Sequence, residues 1–208
     1  MIKIIDNYRN LPVGKWLEIL ELSRDEIVDS LEQQVKTIAI LTGLSEGEVL
    51  DLPLMEYREL AGKTKFLENE YDGQLMTAKS YGVGGMVLVP VKDMSKITTA
   101  QYVDFQTFSR DDKYIVECLS TLLIPKGKKY NEGYEITDVH KAIRENFSVA
   151  DVLSLSAFFL NLWVKSIKDF QIYSVKEIQK CPNKEMRERL MRQMEEAMMM
   201  HSKTNGDG

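Results

Sequence analysis

Few residues in this chain are of the types that do chemistry. Two histidines (His140, His201) and two cysteines (Cys118, Cys181) are scattered through 208 residues. That is too sparse for a zinc cluster or a disulfide framework, which need closely spaced ligands or several paired cysteines. Both cysteines read as reduced and structural. Ser154 and Ser156 lie in an apolar helical run with no Gly-x-Ser-x-Gly elbow, and a nucleophile needs a positioned base beside it. His140 sits in the charged stretch TDVHKAIRE and reads as solvated; His201 falls in the C-terminal tail. The acid pairs Asp111-Asp112 and Glu195-Glu196 read as solvated faces or helix-end charges, with the first pair suited to a helix start.

Two further stretches invite a phosphate or an acidic partner. GVGG (residues 82–85) is glycine-rich, but a nucleotide loop is followed at once by a helix. Here strand-like residues follow, so a hairpin turn is expected. The compact basic loop IPKGKKY carries Lys126, Lys128 and Lys129. These could meet an acidic partner or a phosphate; the plainer reading is a solvated loop.

The elements that would position these residues show an internal echo. LPVGKWLEILEL (11–22) and ITTAQYVDFQTF (97–108) share an order: an apolar residue, Pro or Thr, a small residue (Gly14, Ala100), a long polar residue (Lys15, Gln101), an aromatic (Trp16, Tyr102) and an acid (Glu18, Asp104). Each reads as the first helix of a helical unit. The aromatic ring is expected to pack on that unit's later helices, and the acid to cap or bridge at the surface.

In the first unit, a second helix carries the stripe Ile27, Leu31, Val35, Ile38 and Leu41, stopped by Gly43. Ser45 with Glu48 resembles a capping box. Leu50, Leu52 and Pro53 make a corner, and a last helix from Leu54 to Glu68 turns Leu54, Tyr57, Leu60, Ala61 and Leu67 inward. Residues 74–92 alternate and read as a β-ribbon. In the second unit Thr98 caps the first helix. DDKYIVECLSTLLI reads as the longer helix, ending at Pro125 and Gly127, and two more helices follow over ITDVHKAIRENFS and VADVLSLSAFFLNLWVKSI. Trp16, Leu41, Tyr57, Leu122, Phe158 and Trp163 are expected to be largely buried.

The expected fold is therefore mainly α: two similar small helical units (1–70 and 97–166) joined by a β-hairpin or ribbon (71–96), with a C-terminal helical extension and tail (167–208). Six of the eleven methionines fall from Met186 onward. Met186, Leu190, Met194, Ala197 and Met198 share one helical face, and methionine suits adaptable binding surfaces. The competing reading is a helix packed back on the body. HSKTNGDG is expected to be disordered. A net charge of -5 does not support nucleic-acid binding. The polar first ten residues do not resemble a signal peptide, and the most apolar run, VLSLSAFFLNLWV, is shorter than a membrane span.

The order of the first motif, then QVKTIAILTGLSEGEVLDLPLMEYREL, a ribbon, ITTAQYVDF and LIPKGKKYNEGYE, resembles tailed-phage proteins described as tail assembly chaperone-like, including those of Bacteroidales and crAss-like phages. The resemblance spans residues 10 to about 165. It implies a non-enzymatic role with no catalytic residue to carry over and no cofactor or metal. The implied action is to bind a tape-measure-like client during assembly in the host cytoplasm. The implied partners are other phage structural proteins (tape measure, tail or portal-proximal), with homo-oligomerisation open; charge and hydropathy, as above, argue against nucleic acid and membrane. The alternatives are a structural virion component, such as a connector-ring or packaged protein of a short-tailed phage, and a phage early-programme enzyme or nucleic-acid protein. The candidate contact residues are Met186, Leu190, Met194 and Met198 with Lys126, Lys128 and Lys129. The Met-rich extension departs from the pattern.

Overall fold

The computed structural model describes residues 2–24, 29–180, 182 and 184–193. The chain is mainly helical with a small antiparallel sheet, and divides into two compact units, 1–160 and 161–208. The first unit begins with α1 (Val13–Arg24), α2 (Ser30–Thr42), α3 (Glu46–Leu50) and α4 (Leu54–Lys63), which runs into a 3-10 turn over Thr64–Glu68. Local signals set these ends. Asp29 accepts from the Leu31 N–H at the start of α2, and Gly43 closes it in the left-handed region. Ser45 and Glu48 form the expected capping box on α3. The Pro53 corner separates α3 from α4.

Strands β1 (Tyr81–Val83) and β2 (Met86–Pro90) form a hairpin in which Val83 pairs with Met86. Gly84 and Gly85, at φ 55° and 77°, fill the two-residue turn, where L side chains are strained. A third strand, β3 (Leu123–Pro125), joins the far side of β2. Helices α5 (Thr99–Phe108), α6 (Ile115–Leu122) and α7 (Ile136–Asn146) follow the ribbon, and α8 runs from Val149 to Gln179. Thr98 and Gln101 form a second capping box on α5.

Several expectations change here. The segment after Tyr114 is not the longer helix: α6 stops at Leu122, where Leu123 turns extended at φ -113°, and the apolar residues that follow enter the sheet. The ribbon is thus part of a three-stranded sheet. Leu31 and Leu54, assigned to inward stripes, are 59% and 63% exposed. Both lie in the first turn of their helices, where the chain is only beginning to meet its neighbours. Ile27 lies outside the described residues. Trp16, Tyr57, Phe158 and Trp163 are half-buried rather than largely buried, while Leu41 and Leu122 are fully enclosed. Tyr102 is 42% exposed, and Trp16 packs on the Leu11, Leu41 and Val149 cluster. α8 continues past residue 166.

The core of the first unit draws on both halves of the sequence. Leu11, Leu41 and Val149 cluster with Trp16, Phe66 and Leu153 around them, and Val35, Ile38, Val49 and Leu60 form a neighbouring cluster. Leu88, at the centre of β2, is fully buried. Two polar ties fix pairs of helices. Lys15 Nζ donates to Ile40 O near the end of α2, and Gln101 Nε2 donates to Thr121 O near the end of α6, each at 2.5 Å.

Leu41→Ala and Leu122→Ala should each cost about 2–5 kcal/mol in urea unfolding, the range for truncating an enclosed leucine. Leu31→Ala should stay within about 0.5 kcal/mol of wild type, as an exposed substitution does. A large loss at Leu31 would show that its stripe is covered in solution.

Candidate functional site

The three loop lysines come together. After β3, the Lys126 N–H donates to Val87 O at 2.8 Å, and the Lys128 N–H closes a turn on Pro125 O at 2.9 Å. Lys126, Lys128 and Lys129 are all exposed on this turn, and Lys129 lies 3.9 Å from Glu132. The loop is anchored from behind. Tyr130 donates its hydroxyl to Asp104 Oδ2 at 2.7 Å, which gives the α5 acid its expected bridging role. Burial, together with that carboxylate, pushes the Tyr130 phenol pKa far up, so it stays a donor. Asn131, at φ 58°, donates its N–H to the Tyr134 hydroxyl.

The second group of candidates lies in the other compact unit. Residues 184–193 are helical, and Met186 and Leu190, one turn apart, are 56% and 36% exposed. Met194 and Met198 lie outside the described residues, as do Ala197, Cys181, His201 and the tail. In the same unit α8 exposes Val164, Ile167, Ile172 and Tyr173. The lysines and the exposed apolar residues thus belong to different units.

His140 is not solvated. It is half-buried against α6, with Nε2 2.8 Å from Ser120 Oγ. Ser120 is 1% exposed and donates its single proton to Glu117 O at 2.6 Å. Nε2 must therefore carry hydrogen and donate to Oγ. A general base needs a bare nitrogen facing the hydroxyl, so this pair is arranged as a structural tie and not as an activated serine. Glu117 places Oε1 3.7 Å from Arg144 Nη2, and its Oε2 is buried with no hydrogen-bond partner among the described residues. The cluster is not legible in the sequence because its two halves, Glu117 and Ser120 on α6 and His140 and Arg144 on α7, are twenty or more residues apart. The amphipathic period of α7, with Val139, Ala142 and Ile143 buried, was the one available signal, since it puts His140 beside the buried face.

Other chemistry has little to build on among the described residues. Cys118 is buried, and burial pushes its thiol up to about 11, away from the reactive thiolate. Ser154 Oγ is held between Ala150 O and the Met76 N–H. No group of three or more His, Cys, Asp or Glu among them is placed to hold a metal ion.

α8 has 31 residues and an 18-residue window of mean hydropathy 1.3, enough by length and composition to cross a membrane. That exceeds the expectation drawn from the apolar run alone. The core helix of a globular unit passes the same test, and the first turns of α8 bury Val149, Val152, Leu155 and Phe159. Compared with protein-family models, curated proteins and solved structures, the chain matches none of them.

Burial lowers the His140 pKa below its ordinary value; Glu117 pulls it back up and Arg144 pushes it further down. The folded state therefore favours the neutral ring. Its contribution is intact above the unfolded pKa of about 6.5 and is lost as pH falls from there through the lower folded value. Urea midpoints should fall between pH 7 and 5, and His140→Gln, which keeps a donor but cannot titrate there, should fall less. Parallel curves for the two proteins would refute a buried neutral His140.

Proposed function

We propose that this chain is a non-enzymatic phage morphogenesis protein that binds a tape-measure-like or other elongated tail protein during assembly in the host cytoplasm. The observation that carries the reading is the exposed apolar surface of the second unit: Val164, Ile167, Ile172 and Tyr173 on α8, with Met186 and Leu190 beyond it. An apolar surface of this kind on a protein of net charge -5 fits an interaction site, and methionine can repack around varied apolar partners. The resemblance of residues 10 to about 165 to tail assembly chaperone-like proteins supplies the class of client. The basic loop of Lys126, Lys128 and Lys129 offers a second, polar contact.

The same reading includes two similar helical units joined by the ribbon. It is supported by the two polar ties. Lys15 and Gln101 occupy equivalent places in the repeated motif, and each donates to a backbone carbonyl in the last turn of the following helix. Removing the Lys15 donor should cost about 1–2 kcal/mol, as a lost hydrogen bond does, and removing Gln101, which also ends its capping-box contact with the Thr98 N–H, at least as much. Urea unfolding of Lys15→Met and Gln101→Met checks this. A loss at one site alone would break the equivalence.

The functional test is co-expression of the tape-measure protein of the same phage with the full chain and with a chain ending at Cys181. The full chain should keep the client soluble and co-purify with it, and the shorter one should do so less well. Equal recovery with both would remove the role given to the Met-bearing segment. Mass spectrometry of purified particles should find the protein absent. Stoichiometric copies would instead make it a virion component.

A further inference from the structure

A cleft of about 400 Å³ opens on the first unit where the N-terminal segment meets the chain leaving α4. Three half-buried aromatic rings, Tyr8, Phe66 and Tyr71, line it, with Glu70, Asp72 and Arg9 exposed beside them. The Tyr8 ring is nearly perpendicular to both others, at 78° to Phe66 and 86° to Tyr71, with centroids 5.1 and 6.1 Å away. Each edge-to-face contact covers one ring face with a neighbour's edge, so the two contacts occupy two of the six faces. Tyr8 cannot swing out easily: its hydroxyl lies 3.0 Å from Asn69 O and 3.3 Å from Leu67 O, and its carbonyl accepts from the Ala150 N–H. Tyr8 and Phe66 also lean on the Leu11, Leu41 and Val149 cluster. Tyr71 forms the outer wall, folded over Gly73 so closely that a Cβ there would collide with the Tyr71 hydroxyl. The ring can sit in this position because residue 73 is glycine.

We infer that this cleft is a binding site for an alkylammonium group, carried either by a lysine side chain of another polypeptide or by a free amine. The inference stands apart from the assembly reading and survives its failure. Ring faces attract a cation through their quadrupoles, and Glu70 and Asp72 add two negative charges against the single positive charge of Arg9. The assembly reading assigns no role to any of these residues. None belongs to the Met-bearing face or the basic loop. The charge balance also names the element that opposes binding: Arg9 shares the cleft with the incoming cation and repels it.

The experiment is an NMR titration of the 15N-labelled full chain with n-butylammonium chloride. The matched arms are a short lysine-containing peptide and, as a neutral control, n-butanol. Butylammonium should shift the amides of residues 69–73 saturably in the millimolar range, and butanol should not. Tyr71→Leu and Gly73→Ala should each weaken binding about fivefold or more, the first by removing a ring and the second by displacing it. Arg9→Gln should tighten it. Tighter binding of the peptide than of butylammonium assigns the site to a polypeptide partner, and equal binding assigns it to a free amine. No saturable shift with either cation overturns the inference. So do equal shifts with butanol, or binding unmoved by both Tyr71→Leu and Gly73→Ala.

Discussion

Two helices begin where each lends the other a carbonyl. The Val13 N–H at the start of α1 donates to Phe147 O at 2.8 Å, and the Val149 N–H at the start of α8 donates to Leu11 O at 2.9 Å. Pro12 and Ser148 face each other between them as an antiparallel bridge. The first N–H groups of a helix have no partner within it, and leaving one buried and unpaired is costly. Here residues 134 and 138 positions apart satisfy one another, since neither helix start can use water: Leu11, Val13, Phe147 and Val149 are all within 1% of full burial. The rest of the first unit depends on this seam. Gly14, one residue on, lies so near Arg144 that a Cβ would come 2.9 Å from its carbonyl oxygen, so α1 approaches the end of α7 with no room for a side chain. Tyr8 and Phe66, which frame the aromatic cleft, pack on the cluster that the seam assembles.

The sheet is the second consequence of joining distant segments. β2 takes its neighbours from opposite directions in sequence, β1 through a tight turn and β3 from beyond α6. The Val91 N–H also reaches Leu122 O, where α6 ends. The exposed carbonyls at the end of a helix and the strand that leaves it therefore share one set of partners. This explains why the helix stops inside an unbroken apolar run. Pro125, which cannot donate to a ladder, sits at the last paired position of an edge strand.

What could be read from the sequence divides by range. The capping box at Ser45, the cap at Thr98, the Gly84-Gly85 turn and the Pro53 corner depend on residues no more than a few positions apart, and all were legible; the reciprocal Gln101 contact that makes a second box was not read. The helical stripes were legible in period but not in extent: Leu31 and Leu54 fit their patterns, yet they lie one turn before their helices reach the core. β3 was not legible, because three apolar residues carry no period that tells strand from helix. His140 illustrates the same limit at a candidate site. Its charged neighbours suggested solvent, and the partner that buries it, Ser120, comes from another helix. The contact residues were legible as a list of types. Their separation between two parts of the chain was legible too; the exposure of each side chain comes only from the fold.

Both units expose apolar side chains. In the first, Leu31, Leu50, Leu54 and Met55 project near helix ends, and Val87, Tyr102, Val103 and Leu160 are exposed within their elements; scattered exposed apolar residues need no explanation. In the second, they recur along two helical stretches. On the proposed reading a client covers them, and the magnitudes constrain its shape. Burying one such side chain fully contributes about 1.5–3 kcal/mol. Association costs on the order of 4–15 kcal/mol in lost translational and rotational freedom before any side chain is ordered. These side chains are 36–61% exposed, so covering each contributes about half of its full-burial value, and Met186 with Leu190 alone falls short. Covering Val164, Ile167, Ile172 and Tyr173 as well brings the gain to about 4–9 kcal/mol, which meets only the lower part of the cost. A partner touching one helical turn reaches only one or two of these side chains, and at about 100° per residue Ile167, Ile172 and Tyr173 point in different directions around α8, so only a partner that meets this helix from more than one side covers them all.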